Sequence, residues 1–135
     1  LSPVILSVAL GKRECVEVFG TDYDTPDGSA VRDYVHVGDL AEAHRRAVEE
    51  EVTGAFNLGT GKGYSVWEVI EVCREVTGHD IPVKESPRRK GDPPILVASS
   101  KKAASALSWY PAADLRTIVT SAWEWHSAHP QGYGD

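Results

Sequence analysis

Ala55-Phe56-Asn57-Leu58-Gly59-Thr60-Gly61-Lys62-Gly63-Tyr64-Ser65-Val66-Trp67-Glu68-Val69-Ile70-Glu71-Val72-Cys73-Arg74-Glu75-Val76-Thr77-Gly78 is the stretch on which the fold turns. Its first four residues read as a short strand, and Ser65 with Glu68 forms a capping box that opens a helix. Val66, Val69, Ile70, Cys73 and Val76 then recur at helical spacing, and Gly78 stands where a left-handed C-terminal cap belongs. A glycine turn between a strand and a helix invites a dinucleotide-binding reading, because glycines let backbone N–H groups approach a pyrophosphate. The spacing argues otherwise. It is GxGxG, with Tyr64 where the third fingerprint glycine would stand, and Lys84-Glu85, roughly 20 residues on, do not sit at the end of a following parallel strand of the kind the fingerprint needs. A structural tight turn is the expectation, in a mixed α/β lobe.

Working outward, Leu1 to Gly11 carries a helical stripe of Val4, Ile5, Val8 and Ala9. Residues 15–19 and 31–37 alternate as strands, flanking a turn-rich loop at 21–28. Asp39 and Glu42 read as a capping pair for a helix running to about Glu51. Strands are expected at 81–84 and 95–98, separated by a basic, proline-rich loop at 86–94. Helices follow from Ser99 or Ser100 to Leu107, and from Asp114 to just before His129-Pro130. The last six residues read as a loose tail.

The 135 residues carry 14 Lys+Arg against 20 Asp+Glu, a formal charge of −6. One domain over 1–135 fits that length, and the acidic balance argues against nucleic acid or a basic membrane patch as partner. No apolar run approaches the ~18 residues of a spanning helix and the start lacks a basic leader, so a cytoplasmic protein is expected. Cys15 and Cys73 are too sparse for a disulfide scaffold or a zinc site and read as buried thiols. Met is absent throughout, including position 1, so a fragment of a longer protein is expected.

Candidate chemistry concentrates in arginines. Arg88-Arg89-Lys90-Gly91-Asp92-Pro93 combines guanidinium forks suited to phosphate oxygens with a carboxylate able to accept from sugar hydroxyls. Arg32 lies within an apolar alternation, where a charge must either bridge to a carboxylate or meet an anionic ligand. Two arginine sites converging on one phosphate group would account for both. His36 reads as a satisfied structural histidine, His126 and His129 lack a third metal ligand, and Asp22, Asp24 and Asp27 read as turn formers. The four tryptophans read as helix-packing residues, two of them near the surface. No activated nucleophile is evident.

Val18-Phe19-Gly20-Thr21-Asp22-Tyr23-Asp24-Thr25-Pro26-Asp27-Gly28, Val31-Arg32-Asp33-Tyr34-Val35-His36-Val37-Gly38-Asp39-Leu40-Ala41, Phe56-Asn57-Leu58-Gly59-Thr60-Gly61 and Arg88-Arg89-Lys90-Gly91-Asp92 form a series in order and spacing. With the Trp123-Glu124-Trp125-His126 and Gln131-Gly132-Tyr133 ending, the chain resembles the C-terminal portion of the UDP-glucose 4-epimerase family, within the extended short-chain dehydrogenase/reductases. The resemblance implies the small α/β substrate lobe of such an enzyme, its Rossmann half missing. It implies an isomerase of galactose metabolism that binds NAD in an N-terminal domain, takes a hydride from C4 of a UDP-hexose and returns it to the other face. Arg32 and Arg89 would then grip the diphosphate, Asp92 would accept from ribose hydroxyls, and Phe19 with the backbone of Glu17, Val18 and Phe19 would hold the uracil. Tyr34 would lie near the pocket. The family's gate beside the sugar ring maps near Leu96, a filling that does not decide between plain hexoses and N-acetylhexosamines.

The family's glycine fingerprint and Tyr-x-x-x-Lys pair are absent from these residues, and its Asn and Leu contacts are expected to precede residue 1. No catalytic residue, bound NAD or metal is therefore expected for this chain, which should be inactive alone. Family dimers assemble through N-domain helices, so the isolated chain is expected to self-associate through exposed apolar patches. The alternatives are a standalone UDP or UDP-sugar binding module and a fragment of a related nucleotide-sugar dehydratase.

Overall fold

A computed structural model of the chain describes residues 1–133. In chain order the elements are α1 (Ser2–Ala9), β1 (Val16–Phe19), β2 (Val31–Asp33), α2 (Val37–Glu49), β3 (Gly63–Ser65), α3 (Val66–Thr77), β4 (Val83–Ser86), β5 (Ile95–Leu96), α4 (Lys101–Leu107) and α5 (Leu115–Ala128). Two small sheets result. β1 and β4 pair in parallel, while β2 lies between β3, antiparallel to it, and β5, parallel to it.

The main core forms where α1, α3 and α5 pack together against β1. The stripe of α3 supplies Val69, Ile70 and Cys73, all fully buried, and they meet Ile5, Leu6, Val16, Val18, Ile81 and Val119. Strand β1 shows why one of its faces is free for other work: Val16 and Val18 point into the core, so Glu17 and Phe19 face away from it. A second cluster between α2 and α4 holds Ala43, Ala103, Leu107 and Trp109.

Several elements follow the sequence closely. The hydroxyl of Ser65 accepts from the Glu68 N–H at 3.0 Å, the Glu68 carboxylate accepts from the Ser65 N–H at 2.7 Å, and Gly78 caps α3 with φ +67°. Asp114 caps α5 by accepting from the Thr117 N–H at 2.8 Å. Trp109 alone of the tryptophans is fully buried, and its indole N–H donates to the Asp39 carbonyl at 2.8 Å.

Other boundaries move. The strand expected at 31–37 stops at Asp33, and His36 becomes the N-cap of α2: its Nδ1 accepts from the Gly38 N–H at 3.0 Å, and its Nε2 meets Ser121 Oγ at 2.9 Å. Asp39 and Glu42 are therefore not the capping pair. Asp39 accepts from the Ala112 and Ala113 amides, and Glu42 pairs with Arg45 and Arg46 along the helix. Residues 55–58 find no strand partner; Lys102 instead donates to the Ala55 carbonyl and lies over the Phe56 ring.

The strand falls later, at Gly63–Ser65, where a Cβ on Gly63 would come within 2.3 Å of Val31 Cγ1, so only glycine allows the pairing with β2. The strands expected at 81–84 and 95–98 run over Val83–Ser86 and Ile95–Leu96. Cys15 is half-buried, not buried. The segment expected as a loose tail folds back within the described residues: Tyr133 packs 5.2 Å from the Trp125 ring, and Lys12 Nζ donates to the Pro130 carbonyl. Gly134 and Asp135 lie outside the described residues.

Candidate functional site

The two parallel pairings position the site. Register places Phe19, the last residue of β1, opposite Ser86, the last of β4, so the following loop starts beside Phe19. The same loop ends at Pro94, whose carbonyl accepts from the Val31 N–H at 2.8 Å, which ties its far end to β2. Residues 87–94 are thus strapped across the gap between the two sheets. Within the strap the Asp92 N–H donates to the Arg89 carbonyl at 3.3 Å, a turn that brings both side chains over the gap.

A cleft of about 340 Å³ lies beneath, walled by Phe19, Arg32, Tyr34, Arg89 and Asp92 with Glu17 at its edge. The Arg89 guanidinium stacks 3.7 Å from the centre of the Phe19 ring, which holds it in place without using any of its N–H donors. Arg32 donates one N–H to the Val31 carbonyl at 2.8 Å and stands 3.8 Å from Asp92 Oδ1. That separation carries Coulomb attraction but is too long for a hydrogen bond, so both groups keep donors and acceptors available for a ligand between them. Burial pushes the Tyr34 hydroxyl up to about 12, against the smaller opposing pull of the Arg32 charge, so it stays protonated and able to donate at neutral pH.

Of the residues singled out from the sequence, Arg32, Arg89, Asp92, Phe19, Tyr34 and Glu17 line this one cleft. Val18 does not. Its side chain is buried in the core, so only its backbone is on offer to a ligand. Leu96 is 60% exposed on β5 and borders a neighbouring hollow of about 440 Å³ that shares Arg32 with the cleft. Arg88 turns the other way: it bonds Asp22 Oδ1 at 2.6 Å and lies 4.3 Å over the Tyr23 ring. That hydrogen bond, before any longer-range charge effect, holds the Asp22 carboxyl below its ordinary range. Of the basic pair, Arg89 belongs to the cleft and Arg88 to the surface.

The glycine turn resolves as a structural one. Asp33, at the end of β2, accepts from the Thr60 N–H at 3.0 Å, from Thr60 Oγ1 at 2.5 Å, and from the Gly61 N–H at 3.3 Å. The donors that could have cradled a phosphate are occupied by a carboxylate of the chain itself. A Cβ on Gly59 would come within 2.5 Å of Asp33 Oδ2, which is why this position is glycine. Among the described residues no group of His, Cys, Asp and Glu could hold a metal ion, and no helix is long and apolar enough to cross a membrane. His126 and His129 pack against Trp125.

The sequence reading missed Leu1, Val4 and Arg13, which also border the cleft. The resemblance set the family's leucine contact before residue 1, yet Leu1 itself stands at the wall. Periodicity marks Leu1 and Val4 only as parts of a helix, and Arg13 lies in a polar turn with no pattern around it, so nothing local reveals their shared destination.

The architecture is that of the α/β C-terminal lobe of the extended short-chain dehydrogenase/reductases. The chain belongs to the GDP-mannose 4,6 dehydratase family, whose model it matches over residues 1–122. A UDP-glucose 4-epimerase of Halalkalibacterium halodurans is 57% identical to it over 98% of the chain and 41% of the relative. A crystal structure of a UDP-glucose 4-epimerase superposes with TM-score 0.94 at 48% identity, over 100% of this chain and 43% of that one. The Bifidobacterium longum UDP-glucose 4-epimerase, solved in complex with NAD+ and UDP, gives 0.92 at 40% identity, over 98% and 41%. The chain thus corresponds to a C-terminal portion of these relatives and spans about two fifths of their length.

Proposed function

We propose that this chain is the UDP-sugar-binding portion of an NAD-dependent UDP-glucose 4-epimerase, and that it binds UDP without turnover on its own. The convergence of Arg32 and Arg89, from segments far apart in the chain, on one cleft that Asp92 also lines carries this reading. The kinship with UDP-glucose 4-epimerases, one of them solved with UDP, supports it.

In the proposed complex the two guanidiniums donate to the diphosphate, where charge-assisted, forked hydrogen bonds are strongest. Asp92 keeps Arg32 turned toward the ligand and accepts from ribose hydroxyls. Phe19 and the backbone of Glu17, Val18 and Phe19 hold the uracil, while the Tyr34 hydroxyl donates at the cleft wall. Leu96 borders the hexose from the adjoining hollow. NAD does not fit the residues present: the glycine turn has given its amides to Asp33, and no Tyr-x-x-x-Lys pair occurs in the sequence. The rest of the site of such an enzyme, and its dimer contacts, belong to the N-terminal lobe of the family. Exposed Val37, Ile95 and Leu96 give the isolated lobe surfaces through which copies associate.

Calorimetric titration of the chain with UDP tests the reading. Arg32→Ala and Arg89→Ala should each weaken binding about 10- to 100-fold, the value of a charge-assisted contact to phosphate. Equal affinity in wild type and variants removes the proposal. Interconversion of UDP-galactose and UDP-glucose by the chain with added NAD overturns the claim that it is silent alone.

A further inference from the structure

Arg13 sits in the turn between α1 and β1 and borders the same cleft as Arg32 and Arg89. The turn is well anchored. Leu10, Gly11 and Lys12 donate their amides back to the Leu6, Val8 and Ser7 carbonyls, and Lys12 Nζ reaches across to the Pro130 carbonyl. Arg13 is therefore presented from a fixed support, next to the strand whose backbone faces the cleft.

Charge decides what it does there. The chain as a whole is acidic, at −6. The residues lining the cleft include three arginines, Arg13, Arg32 and Arg89, against two acids, Glu17 and Asp92, a formal side-chain excess of one positive charge. Glu17 is drawn toward Lys84 at 3.8 Å, while Arg32 is already shared with Asp92 at 3.8 Å. Without Arg13 the side chains of the walls would be formally neutral, inside a molecule whose net charge is negative. A diphosphate is polyanionic at neutral pH, so it needs that excess both to be drawn in and to be retained.

We propose that Arg13 is a third binding cation of this cleft, giving it the net positive charge that selects a diphosphate-bearing ligand. The inference rests on the UDP-sugar reading above and extends it to a residue outside the two-arginine grip. As an exposed group at the rim, Arg13 acts through charge more than through one fixed hydrogen bond. Its contribution should depend on salt.

The test compares wild type, Arg13→Gln and Arg13→Lys by calorimetry with two probes, UDP and inorganic pyrophosphate. Titrations run at about 0.01 M and about 1 M salt, between which the screening length falls from about 30 to about 3 Å. Arg13→Gln should weaken both probes about three- to tenfold at low salt and leave affinity nearly unchanged at high salt, with Arg13→Lys retaining most of the binding. Undiminished UDP affinity in Arg13→Gln at low salt overturns the proposal, as does a loss that ignores salt. If wild type binds pyrophosphate but not UDP, the nucleotide reading fails and Arg13 is judged on pyrophosphate alone. If it binds neither, both fail. Circular dichroism of the variants separates loss of binding from loss of fold.

Discussion

Asp33 joins three segments through one carboxylate, and Asp33→Ala should be among the costliest polar substitutions in the chain. Its oxygens accept from the Thr60 N–H, Thr60 Oγ1, the Gly61 N–H and the Ala98 N–H, the last at 3.2 Å. Removing the carboxylate leaves the part-buried Thr60 and Ala98 amides without an acceptor. Gly61 is exposed, so water replaces its bond at little loss, and Thr60 Oγ1 retains the Lys62 carbonyl at 2.8 Å. At about 1–1.5 kcal/mol for each stranded amide, the sum is about 2–3 kcal/mol. For a chain of this size that corresponds to a fall of roughly 10 °C in Tm. Equilibrium urea unfolding followed by tryptophan fluorescence reads it directly. Asp33→Asn should recover no more than half, because its amide nitrogen would face N–H groups that need an acceptor. A stability for Asp33→Ala within about 0.5 kcal/mol of wild type, the range of an ordinary surface change, would refute the reasoning and show that the glycine turn holds itself.

Trp109→Ala should cost about 3–5 kcal/mol by emptying the second core cluster, and Trp109→Phe about 1 kcal/mol through the lost bond to the Asp39 carbonyl, both measurable by calorimetric unfolding. Ser65→Ala removes the α3 cap and the bond its hydroxyl donates to Asp27, and should lower stability by about 1–2 kcal/mol in thermal melts followed by circular dichroism. In acid, stability should fall. Hydrogen bonds from Arg45 and then Arg46 hold Glu42 at about 2, and amide and hydroxyl donation from Thr117 lowers Asp114. Partial burial works to raise Asp27, yet the bonds from Ser65 and Ser29 outweigh it and lower it as well. Carboxyls lowered in the folded state bind protons more readily when unfolded. Their contribution is thus complete above the ordinary carboxyl range near 4 and is lost as pH falls toward 2. Urea midpoints measured from pH 6 downward should decline over that window, and the decline should be shallower in Asp27→Asn.

The capped helix α3 was legible from its residues because everything that defines it is local: the Ser65 and Glu68 box, the stripe and Gly78 lie within fourteen consecutive positions. The junction of β2 and α2 was not. The cap there is a histidine ring whose other nitrogen meets Ser121, on a helix 85 residues away, and no nearby pattern announces that contact. Residues 55–58 read as a short strand but lack a neighbour, while Gly63 pairs because Val31 leaves room only for a hydrogen. In the site, Arg32 stood out because a charge in an apolar alternation demands a partner. By side-chain chemistry Arg88 and Arg89 look equivalent; the resemblance singles out Arg89, and the course of the loop over Phe19 on one side and Tyr23 on the other sets Arg89 in the cleft and Arg88 at the surface.

Composition, periodicity and motif order alone determined the mixed α/β class, the helices α3 and α5 with their caps, the two arginine sites and the kinship they imply, since each depends on residues close in the chain or on side-chain chemistry itself. Tertiary structure alone decided that Asp33 occupies the glycine turn, that Val18 turns inward, that Leu96 faces a separate hollow and that Leu1 and Arg13 reach the cleft. Those outcomes depend on which strands lie side by side. That is set by burial summed over three helices and a parallel pairing, and no segment of the chain records the sum.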